Sequence, residues 1–361
     1  MRVGLVIYGS LETLSGGYLY DRKLVAHLRG AGDDVEIISL PWRNYAAHLT
    51  DNFSASLLRR MAGSRFDVLV QDELNHPSLF SLNRRLKRLT NTPIVSIIHH
   101  LRSSEKRAAW KNAFYCIPER AYLRSVDGFV FNSQTTRNVV ENTLKESRPH
   151  VVAYPAGNRL APQISDTEIV ARAQAATPLN IVFLGSVIPR KNLHTLLNAL
   201  AQLAPKSWQL SIIGGLNVDP EYVQRARQQI TRLRLEKEVS FIGALQDEHL
   251  KVALRNAHVL ALPSSYEGFG IAYLEGMGYG LPAIGGRGGA AHEIITHDVD
   301  GFLVHTDDAN GLAKYLQELA TDREKLIHMS LAARQRYLAH PTWEESVAKI
   351  REFLSDFARR A

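Results

Sequence analysis

The stretch EGFGIAYLEGMGYGLP, residues 267–282, is the most informative segment of the chain, because it combines a glycine-rich turn with two glutamates. The preceding run HVLALPS (258–264) is apolar and bounded by turn residues, as a buried strand is. A helix that begins after the turn leaves the N–H groups of Phe269, Gly270 and Ile271 without helical partners. Such a helix terminus binds phosphate and other anions, so the segment predicts an anion site at this strand end.

Strand-like runs recur on both sides of this segment, each separated from the next by a helix-length stretch. This alternation is typical of parallel, doubly wound sheets and predicts an α/β fold. The predicted strands of the first half are 3–8, 34–40, 67–72, 93–99 and 128–133. Those of the second half are 180–186, 209–215, 239–245, 258–264 and 282–286.

The chain of 361 residues exceeds the usual size of one hydrophobic core, and two domains are therefore expected. The alternation pauses in the Pro-, Gly- and Asn-rich segment 154–166, which predicts a linker. We assign residues 1–160 to a first Rossmann-like domain and residues 161–343 to a second. Ligands bind at the C-terminal ends of strands in such sheets, so the residues after each strand are the candidate site residues.

Two further strand ends of the second half carry features suited to an anion. The segment GSVIPRKN (185–192) places Arg190 and Lys191 just past a strand, where cations can meet a diphosphate. The segment IIGGL (212–216) supplies Gly214, where a ligand can approach the backbone. Together with the turn at 267–271, these strand ends predict one phosphate-binding site.

Glu267 and Glu275 resemble the carboxylate pair of a glycosidase, but their spacing argues against that chemistry. Eight residues on one helix span about 12 Å, whereas a retaining glycosidase needs about 5–5.5 Å and an inverting one about 6.5–9.5 Å. The spacing fits one carboxylate at a sugar and another at a ribose. Taken alone, Glu267 is better explained as a helix-entry carboxylate stabilised by the helix dipole.

The segment EGFGIAYLE (267–275) resembles the E-x7-E element of retaining GT-B glycosyltransferases, and 262–303 is similar to the family 4 signature. The similarity continues through GLPAIGGRGGAAHEII and DGFLV and extends to the glycine turn SGG (15–17). The resemblance implies a GT-B fold, in which two Rossmann-like domains face each other across a cleft. It also implies that the final helix, 344–361, packs back onto the first domain.

The resemblance implies a role for each matching residue. Glu267 would contact the donor hexose, Glu275 the donor ribose, and Lys191 the diphosphate that leaves. The amides of Phe269–Ile271 would hold that diphosphate, and Gly16 and Gly17 belong to the glycine loop of the first domain. One residue departs from the family, because Ser186 stands where an arginine is common. Either Arg190 supplies the charge of that arginine, or binding of the diphosphate depends mainly on Lys191.

Two adjacent histidines, His99 and His100, follow the predicted strand at 93–99. The family has a histidine at this place near the sugar and the acceptor, and His99 matches it better. Neighbouring side chains on a strand point to opposite faces, so only one of the two is expected in the site. The structural alternative is a histidine that packs at a strand end.

The excess of positive over negative charge lies in the first half of the chain. Residues 1–160 hold 22 Lys and Arg against 14 Asp and Glu. This asymmetry suggests an anionic partner, and solvated helix faces explain it about equally well. We expect an anionic membrane surface or an acidic substrate and no nucleic acid; the candidate cations are Arg59, Arg60, Arg84, Arg85, Lys87 and Arg88.

Several classes of protein are excluded by motif. The sequence contains no P-loop, no GxSxG element and no GxGxxG after the first strand. Asp298 and Asp300 resemble a metal-binding DxD motif, but they precede Gly-Phe-Leu-Val and predict a turn, so no metal and no cofactor are expected. The single cysteine and the absence of a long apolar run predict a cytoplasmic protein, at most peripheral to a membrane.

The main expectation is a metal-independent retaining glycosyltransferase that moves a hexose from a nucleotide-diphosphate sugar to a hydroxyl of a lipid, glycan or small molecule. A non-catalytic nucleotide-sugar-binding protein is one alternative. A nucleotide-sugar epimerase or a phosphorylase on the same architecture is another. An epimerase would convert the donor without an acceptor, and a phosphorylase would need a pyridoxal lysine.

Overall fold

The predicted strands form two separate parallel sheets in the computed structural model, which describes residues 1–13, 15–104, 109–175 and 177–360. The chain divides into two compact units, Met1–Pro155 with Pro341–Ala361, and Ala156–His340. We call them the first unit and the second unit. Each unit carries one six-stranded sheet with flanking helices, so the predicted α/β class with two doubly wound halves is confirmed.

The strands lie close to their predicted positions. Those of the first unit are β1 (Arg2–Tyr8), β2 (Asp34–Leu40), β3 (Val68–Asp72), β4 (Ile94–Ile98), β5 (Gly128–Phe131) and β6 (His150–Val152). Those of the second unit are β7 (Leu179–Leu184), β8 (Trp208–Ile213), β9 (Val239–Gly243), β10 (Val259–Leu262), β11 (Ala283–Gly286) and β12 (Gly301–Val304). The sequence did not predict β6, a three-residue strand at the edge of its sheet whose side chains are only half-buried.

Helices connect the strands. In chain order they are α1 (Gly16–Gly30), α2 (Tyr45–Leu49), α3 (Ala55–Gly63), α4 (His76–Leu79), α5 (Leu82–Leu86), α6 (Ala109–Leu123), α7 (Gln134–Leu144), α8 (Asp166–Gln174), α9 (Leu193–Leu200), α10 (Pro220–Leu233), α11 (Asp247–Asn256), α12 (Ile271–Met277), α13 (Ala309–Thr321), α14 (Arg323–Leu338) and α15 (Trp343–Arg360). Short 3-10 helices span Thr50–Phe53, Glu73–Asn75, Arg102–Ser104, Asn158–Leu160, Pro189–Lys191 and Ala291–Glu293.

The sheet of the first unit has the order β2-β1-β3-β4-β5-β6. Its inner strands β3, β4 and β5 are buried along their whole length, as parallel strands covered on both faces are. Helix α1 begins at Gly16. The side chain of Ser15 accepts a hydrogen bond from the Tyr18 amide at 3.3 Å, and this N-cap fixes where the helix begins.

The sheet of the second unit has the order β12-β11-β10-β7-β8-β9. The order of the strands therefore reverses between β7 and β10, which pair directly. In open α/β sheets this reversal opens a crevice at the C-terminal ends of the two strands, and ligands bind there. The fold thus places the loops after β7 and β10 at the expected binding position.

The last helix, α15, packs within the first unit although it follows the second unit in sequence. Trp343 is 1% exposed, and its ring meets the ring of Tyr20 edge-on at 5.7 Å. Farther along the helix, Arg351 donates to the Asp33 carboxylate at 2.7 Å. The first unit is therefore built from both ends of the chain.

Candidate functional site

Two loops of the second unit lie together at the reversal point of its sheet. One loop, residues 185–192, follows β7, and the other, residues 263–270, follows β10. The backbone N–H of Ser265 donates to the carbonyl oxygen of Arg190 at 2.8 Å and ties the loops together. Side chains from segments about 80 residues apart can therefore meet here.

Glu267 is the centre of this site. Its side chain is only 8% exposed, and its Oε1 accepts a hydrogen bond from Lys191 Nζ at 2.5 Å. Arg190 Nη1 lies 3.6 Å from the other carboxylate oxygen and donates to the carbonyl oxygen of Tyr266 at 2.6 Å. The structure thus brings together three of the residues that the sequence predicts for catalysis.

The charges of this cluster depend on each other. Burial alone would raise the pKa of Glu267, but Lys191 and Arg190 outweigh it and lower that pKa to about 2. Burial lowers the pKa of Lys191, although the facing carboxylate opposes the change. Because two cations face one carboxylate, the site keeps a net positive charge that suits an anionic ligand.

A second glycine-rich turn holds Glu267 in place through its backbone. The amide of Glu267 donates to the Gly288 carbonyl at 3.1 Å, and its own carbonyl accepts from the Ala290 amide at 2.8 Å. Gly289 has a φ of +78°, and a Cβ there would overlap the Glu267 carbonyl oxygen. This close backbone approach fixes the position of the carboxylate independently of its ion pair.

A comparison with known protein families gives a match to the glycosyl transferases group 1 family over residues 165–336, just under half of the chain. The matched range includes Arg190, Lys191 and Glu267 and lies within the second unit. Over this range the chain is similar to the group 1 glycosyltransferases. The retaining stereochemistry and the family 4 assignment stay predictions.

Curated relatives include mannosyltransferases. The "GDP-mannose-dependent alpha-(1-6)-phosphatidylinositol monomannoside mannosyltransferase" of Mycobacterium tuberculosis is 29% identical over 183 residues. That match covers 48% of this chain and 46% of the relative, so the chain spans about half the length of the relatives of this kind. The "MMP alpha-(1->4)-mannosyltransferase" of Mycolicibacterium hassiacum is 23% identical over 82% of this chain and 72% of its own.

Solved structures resemble the whole chain. Sucrose-phosphate synthase from Thermosynechococcus elongatus superposes with a TM-score of 0.84 over 100% of both chains, at 20% identity. The HepE protein of Anabaena, solved with UDP and glucose, gives a TM-score of 0.77 over 99% of this chain and 100% of its own, also at 20% identity. These similarities confirm the GT-B fold.

The predicted diphosphate amides lie directly after Glu267. Helix α12 starts at Ile271, and Gly270 before it has a φ of +112°. Within the described part of the chain, the amides of Gly270 and Ile271 have no protein acceptor. Phe269 is buried, and its ring lies 5.7 Å from that of His340. Contact between these amides and a diphosphate stays a prediction.

The other predicted donor-binding residues of the second unit lie at the ends of β7 and β8. Gly214 has a φ of +145°, and a Cβ there would overlap the carbonyl oxygen of Gly185. Ser186 is adjacent, and the amide of Val187 donates to the Gly215 carbonyl at 2.9 Å. Ser186 brings no charge to this turn, whereas the guanidinium of Arg190 lies beside the Glu267 carboxylate.

Glu275 is engaged by a residue that the sequence reasoning missed. Arg159 donates to Glu275 Oε1 from Nε at 2.9 Å and from Nη2 at 2.8 Å, and it also pairs with Asp247. Burial raises the pKa of Glu275 even though Arg159 lowers it. Arg159 lies in the predicted linker, which carries no recognisable motif, so nothing in its local sequence indicated a role. The ribose contact of Glu275 stays a prediction.

Two predicted residues of the first unit lie against each other. His99 follows β4, and a Cβ at Gly17 would lie 3.2 Å from the Cδ2 of its ring. Gly16 and Gly17 are the first residues of α1, so the glycine loop is the N-terminal end of that helix. The ring of His99 also meets Tyr20 edge-on at 5.4 Å. Of the two adjacent histidines, His99 is therefore the one that packs against the glycine loop.

A buried acidic group surrounds His99, and the sequence analysis did not identify it. Its members are Asp21 on α1, Asp72 at the end of β3, and Glu73 in the following turn, all 1% exposed or less. His99 Nε2 lies 3.8 Å from Asp21 Oδ1, and Glu73 Oε2 accepts from the His99 amide at 3.2 Å. Asp21 lies one turn after Gly17, on the apolar stripe of α1, and this position is the signal that could have revealed it.

The pKa values of His99, Asp72 and Glu73 are all raised. Burial lowers the pKa of His99, but the carboxylates of Asp21, Asp72 and Glu73 outweigh it and raise that pKa to about 9. Burial, reinforced by Asp21, raises the pKa of Asp72 to about 7. Burial and Asp72 also raise the pKa of Glu73 well above its usual value. In the folded protein, these three residues therefore bind protons at a pH at which the same residues of the unfolded chain have released them.

The donor atoms of Asp21, Asp72 and His99 lie within 4.8 Å of one another, a spacing that suits a small cation. A metal ligand must be an unprotonated nitrogen or a carboxylate. With its pKa raised to about 9, His99 carries a proton at neutral pH, and its imidazolium supplies the positive charge of this group. A metal would have to displace that proton, and the expected absence of a metal stays a prediction.

The motif Asp298-Val299-Asp300 forms a turn before β12, as predicted. Asp298 pairs with Lys325 at 2.7 Å, and Asp300 accepts a hydrogen bond from the Thr296 amide at 2.7 Å. Both carboxylates are thus occupied in holding the turn.

Half of the candidate surface cations of the first unit have protein partners. Arg60 pairs with Glu36 at 3.0 Å, Lys87 pairs with Asp127 at 2.5 Å, and Arg85 donates to the Asn52 carbonyl at 2.9 Å. The exposed cations without an ion-pair partner among the described residues are Arg59, Arg84 and Arg88. The sequence has a further basic stretch at 102–114, of which residues 105–108 lie outside the described residues. Across the described chain, every helix is too short or too polar to traverse a bilayer.

Proposed function

We propose that this chain is a metal-independent retaining glycosyltransferase that transfers a hexose from a nucleotide-diphosphate sugar to an acceptor hydroxyl. The observation that carries the proposal is the Lys191–Glu267–Arg190 cluster at the reversal point of the second sheet. The proposal assigns the donor to the second unit and the acceptor to the first.

Lys191 and Arg190 are suited to stabilise the diphosphate as it leaves. Their charges are fixed by the fold before a ligand binds, and such preorganised groups stabilise charge that develops in the transition state. The buried environment of Lys191 strengthens its interaction with an anion. Amides of Gly270 and Ile271 would add hydrogen-bond donors at the same site.

Glu267 is suited to act on the sugar. With its pKa lowered to about 2, it is ionised at neutral pH and favours positive charge that develops at the anomeric carbon. In the proposed reaction, the acceptor oxygen bonds to the anomeric carbon on the face from which the diphosphate departs, and the hydroxyl proton passes to a leaving phosphate oxygen. No covalent bond to the enzyme is needed. Because Lys191 and Arg190 supply the charge, the step needs no metal.

Two features support a nucleotide sugar as donor. One curated relative is named as GDP-mannose-dependent, and one structural neighbour was solved with UDP-glucose. The positive site of this chain suits the diphosphate that both donors share. We therefore propose a nucleotide-diphosphate hexose and leave the base to experiment.

A donor screen tests the proposal. The protein is incubated with UDP-, GDP- and ADP-hexoses, with and without lipid, glycan and small-molecule acceptors, and released nucleotide and product are quantified. We expect one donor to react, with Glu267→Gln and Lys191→Met lowering kcat by about 100-fold to 1,000-fold. Lys251→Met is the matched control, because Lys251 is a partly exposed lysine of the same unit that pairs with Glu248 at 2.7 Å.

The outcomes separate the alternatives. Donor binding without turnover across all acceptors would favour a binding protein, and conversion of the donor without an acceptor would favour an epimerase. The anomeric proton of the product, measured by NMR, decides between retention and inversion. Activity that survives EDTA supports a metal-independent step, and activity that EDTA abolishes and Mg²⁺ or Mn²⁺ restores contradicts it.

We further propose that the acceptor is lipid-linked and that the first unit meets a cytoplasmic anionic membrane surface. The name of one relative includes a phosphatidylinositol monomannoside acceptor. In this chain, Phe53 is 80% exposed and Leu89 is 63% exposed, and both lie on segments that carry the exposed arginines. Exposed apolar side chains beside unpaired cations are typical of peripheral membrane binding.

Vesicle sedimentation tests the membrane proposal. We expect binding to vesicles with 30% phosphatidylserine at low salt to exceed binding to neutral vesicles by about tenfold, because each cation near an anionic surface contributes about 1 kcal/mol. Arg84→Glu combined with Phe53→Ser should remove the difference. Val252→Ser, at a similarly exposed apolar residue of the second unit, is the control. Equal binding to both vesicles would refute the proposal.

A further inference from the structure

Asp21 is a buried carboxylate with an unusual lack of partners. It is 0% exposed, and neither of its side-chain oxygens has a hydrogen-bond partner among the described residues. An unpaired carboxylate is strongly unfavourable in a protein interior, so a compensating positive charge is required. The cationic group within ion-pair distance is His99, whose Nε2 lies 3.8 Å from Asp21 Oδ1.

The surroundings of His99 hold its ring in one orientation. Its amide donates to Glu73 Oε2 at 3.2 Å, and its carbonyl accepts from Asn132 Nδ2 at 2.8 Å. The Nε2 and Cδ2 edge of the ring faces Gly17, and Nε2 is buried without a hydrogen-bond partner. The nitrogen that faces Asp21 is therefore Nε2, and Nδ1 lies at the other position of the ring.

We propose that Asp21 is a positioning residue that holds His99 as an imidazolium, so that the ring donates a hydrogen bond to a substrate oxygen and does not act as a base. This inference rests on the proposed function, because it assigns His99 to the acceptor side of the transfer. It also agrees with a transfer in which the leaving phosphate, and not the protein, takes the acceptor proton.

The other charged groups around His99 favour the same protonation state. The titratable groups around this cluster are Tyr18, Tyr20 and Asp21 on α1, Asp72 at the end of β3, Glu73 in the following turn, His100 after β4, and Glu119 on α6. The carboxylates outnumber the imidazole, and the tyrosines have raised pKa values and stay neutral. A cation at His99 is thus stabilised from α1 and from the end of β3.

The first test is an NMR titration of the ligand-free protein labelled at histidine, in which the His99 signal is assigned from its loss in His99→Gln. We expect His99 to titrate well above pH 6.5, near pH 9. In Asp21→Asn the midpoint should fall by about two pH units, which is 100-fold in the protonation equilibrium. Asp33→Asn removes another buried ion pair of the first unit and should leave the His99 midpoint unchanged.

This titration needs no donor or acceptor, so its result is independent of the proposed function. A wild-type midpoint at or below pH 6.5 would overturn the inference even if Asp21→Asn fails to fold. The inference would also be overturned if micromolar Mn²⁺ broadened the His99 signal, because Asp21, Asp72 and His99 would then bind a metal ion in place of the proton.

The second test uses the reaction identified by the donor screen. If His99 acts as a cationic donor, kcat/KM stays level from pH 7 to pH 8 and falls above pH 9. In Asp21→Asn the fall should move to lower pH by the amount seen in the NMR titration. A rate that rises as His99 loses its proton would show that the ring is a base and would overturn the assignment.

Discussion

Lys191→Met removes the cation closest to Glu267 while keeping a side chain of similar length. In the wild type, the pKa of Glu267 moves from its usual 4.5 to about 2, and this change corresponds to about 3 kcal/mol of stability. Breaking a buried pair by removing one partner typically costs about 3–5 kcal/mol. Arg190 remains 3.6 Å from the carboxylate, so we expect a loss of about 3 kcal/mol in the free energy of unfolding of the second unit.

The loss of stability in Lys191→Met should depend on pH, and the direction of this dependence can be predicted. In the wild type, the contribution of Glu267 is complete above pH 4.5 and is lost as the pH falls through 2, because the folded pKa is lowered. In Lys191→Met, burial dominates and raises the folded pKa of Glu267, so the variant regains stability as the carboxylate takes up a proton. The difference in free energy of unfolding between wild type and Lys191→Met should therefore be largest at pH 7 and smaller at pH 4.

Hydrogen exchange of the β7 and β10 amides, corrected for intrinsic rates at each pH, measures the stability of the second unit by itself. The double variant Lys191→Met with Glu267→Leu should recover most of the stability, because apolar side chains can replace a buried ion pair. It should recover no activity. A difference between wild type and single variant below about 0.5 kcal/mol, or one equal at pH 7 and pH 4, would refute the reasoning.

Three further changes test other parts of the structure. Gly214→Ala should destabilise the second unit by more than about 3 kcal/mol in thermal melts, because its Cβ would overlap a neighbouring carbonyl oxygen. Gly243→Ala, at a φ of +81° in open space, should cost only about 1–2 kcal/mol. Arg159→Ala leaves the buried Glu275 without its partner and should cost about 3 kcal/mol by urea denaturation, whereas Glu275→Gln in the same background should recover part of the loss. Trp343→Ala should destabilise the first unit by about 3–5 kcal/mol and leave exchange in β7–β12 unchanged.

The sequence predicts the strands well where they are central and apolar. Runs such as DVLVQD and PIVSIIH contain strands buried along their whole length, and their composition leaves little alternative. Strand β6 escaped prediction because three half-buried residues at a sheet edge carry almost no hydrophobic pattern. A local run of apolar residues thus indicates a buried strand, and a half-buried strand at the edge of a sheet lacks such a run.

The sequence predicts which residues belong to the candidate site better than it predicts which of them contact each other. Lys191 and Glu267 follow different strands, and their pairing depends on the adjacency of β7 and β10, which no local motif encodes. Arg159 was missed because its partner Glu275 is 116 residues away. Asp21 was within reach of sequence reasoning, because a charged residue on the apolar stripe of a helix indicates a buried partner.

The return of α15 to the first unit affects how the chain can fold during synthesis. The second unit is one continuous segment and is complete once residue 340 has left the ribosome. The first unit is synthesised earlier but lacks helix α15, which contacts Tyr20 and pairs with Asp33, until residues 343–360 emerge. The unit that is translated first is therefore the one that matures last, and a nascent chain paused before Trp343 presents an unfinished apolar surface to chaperones.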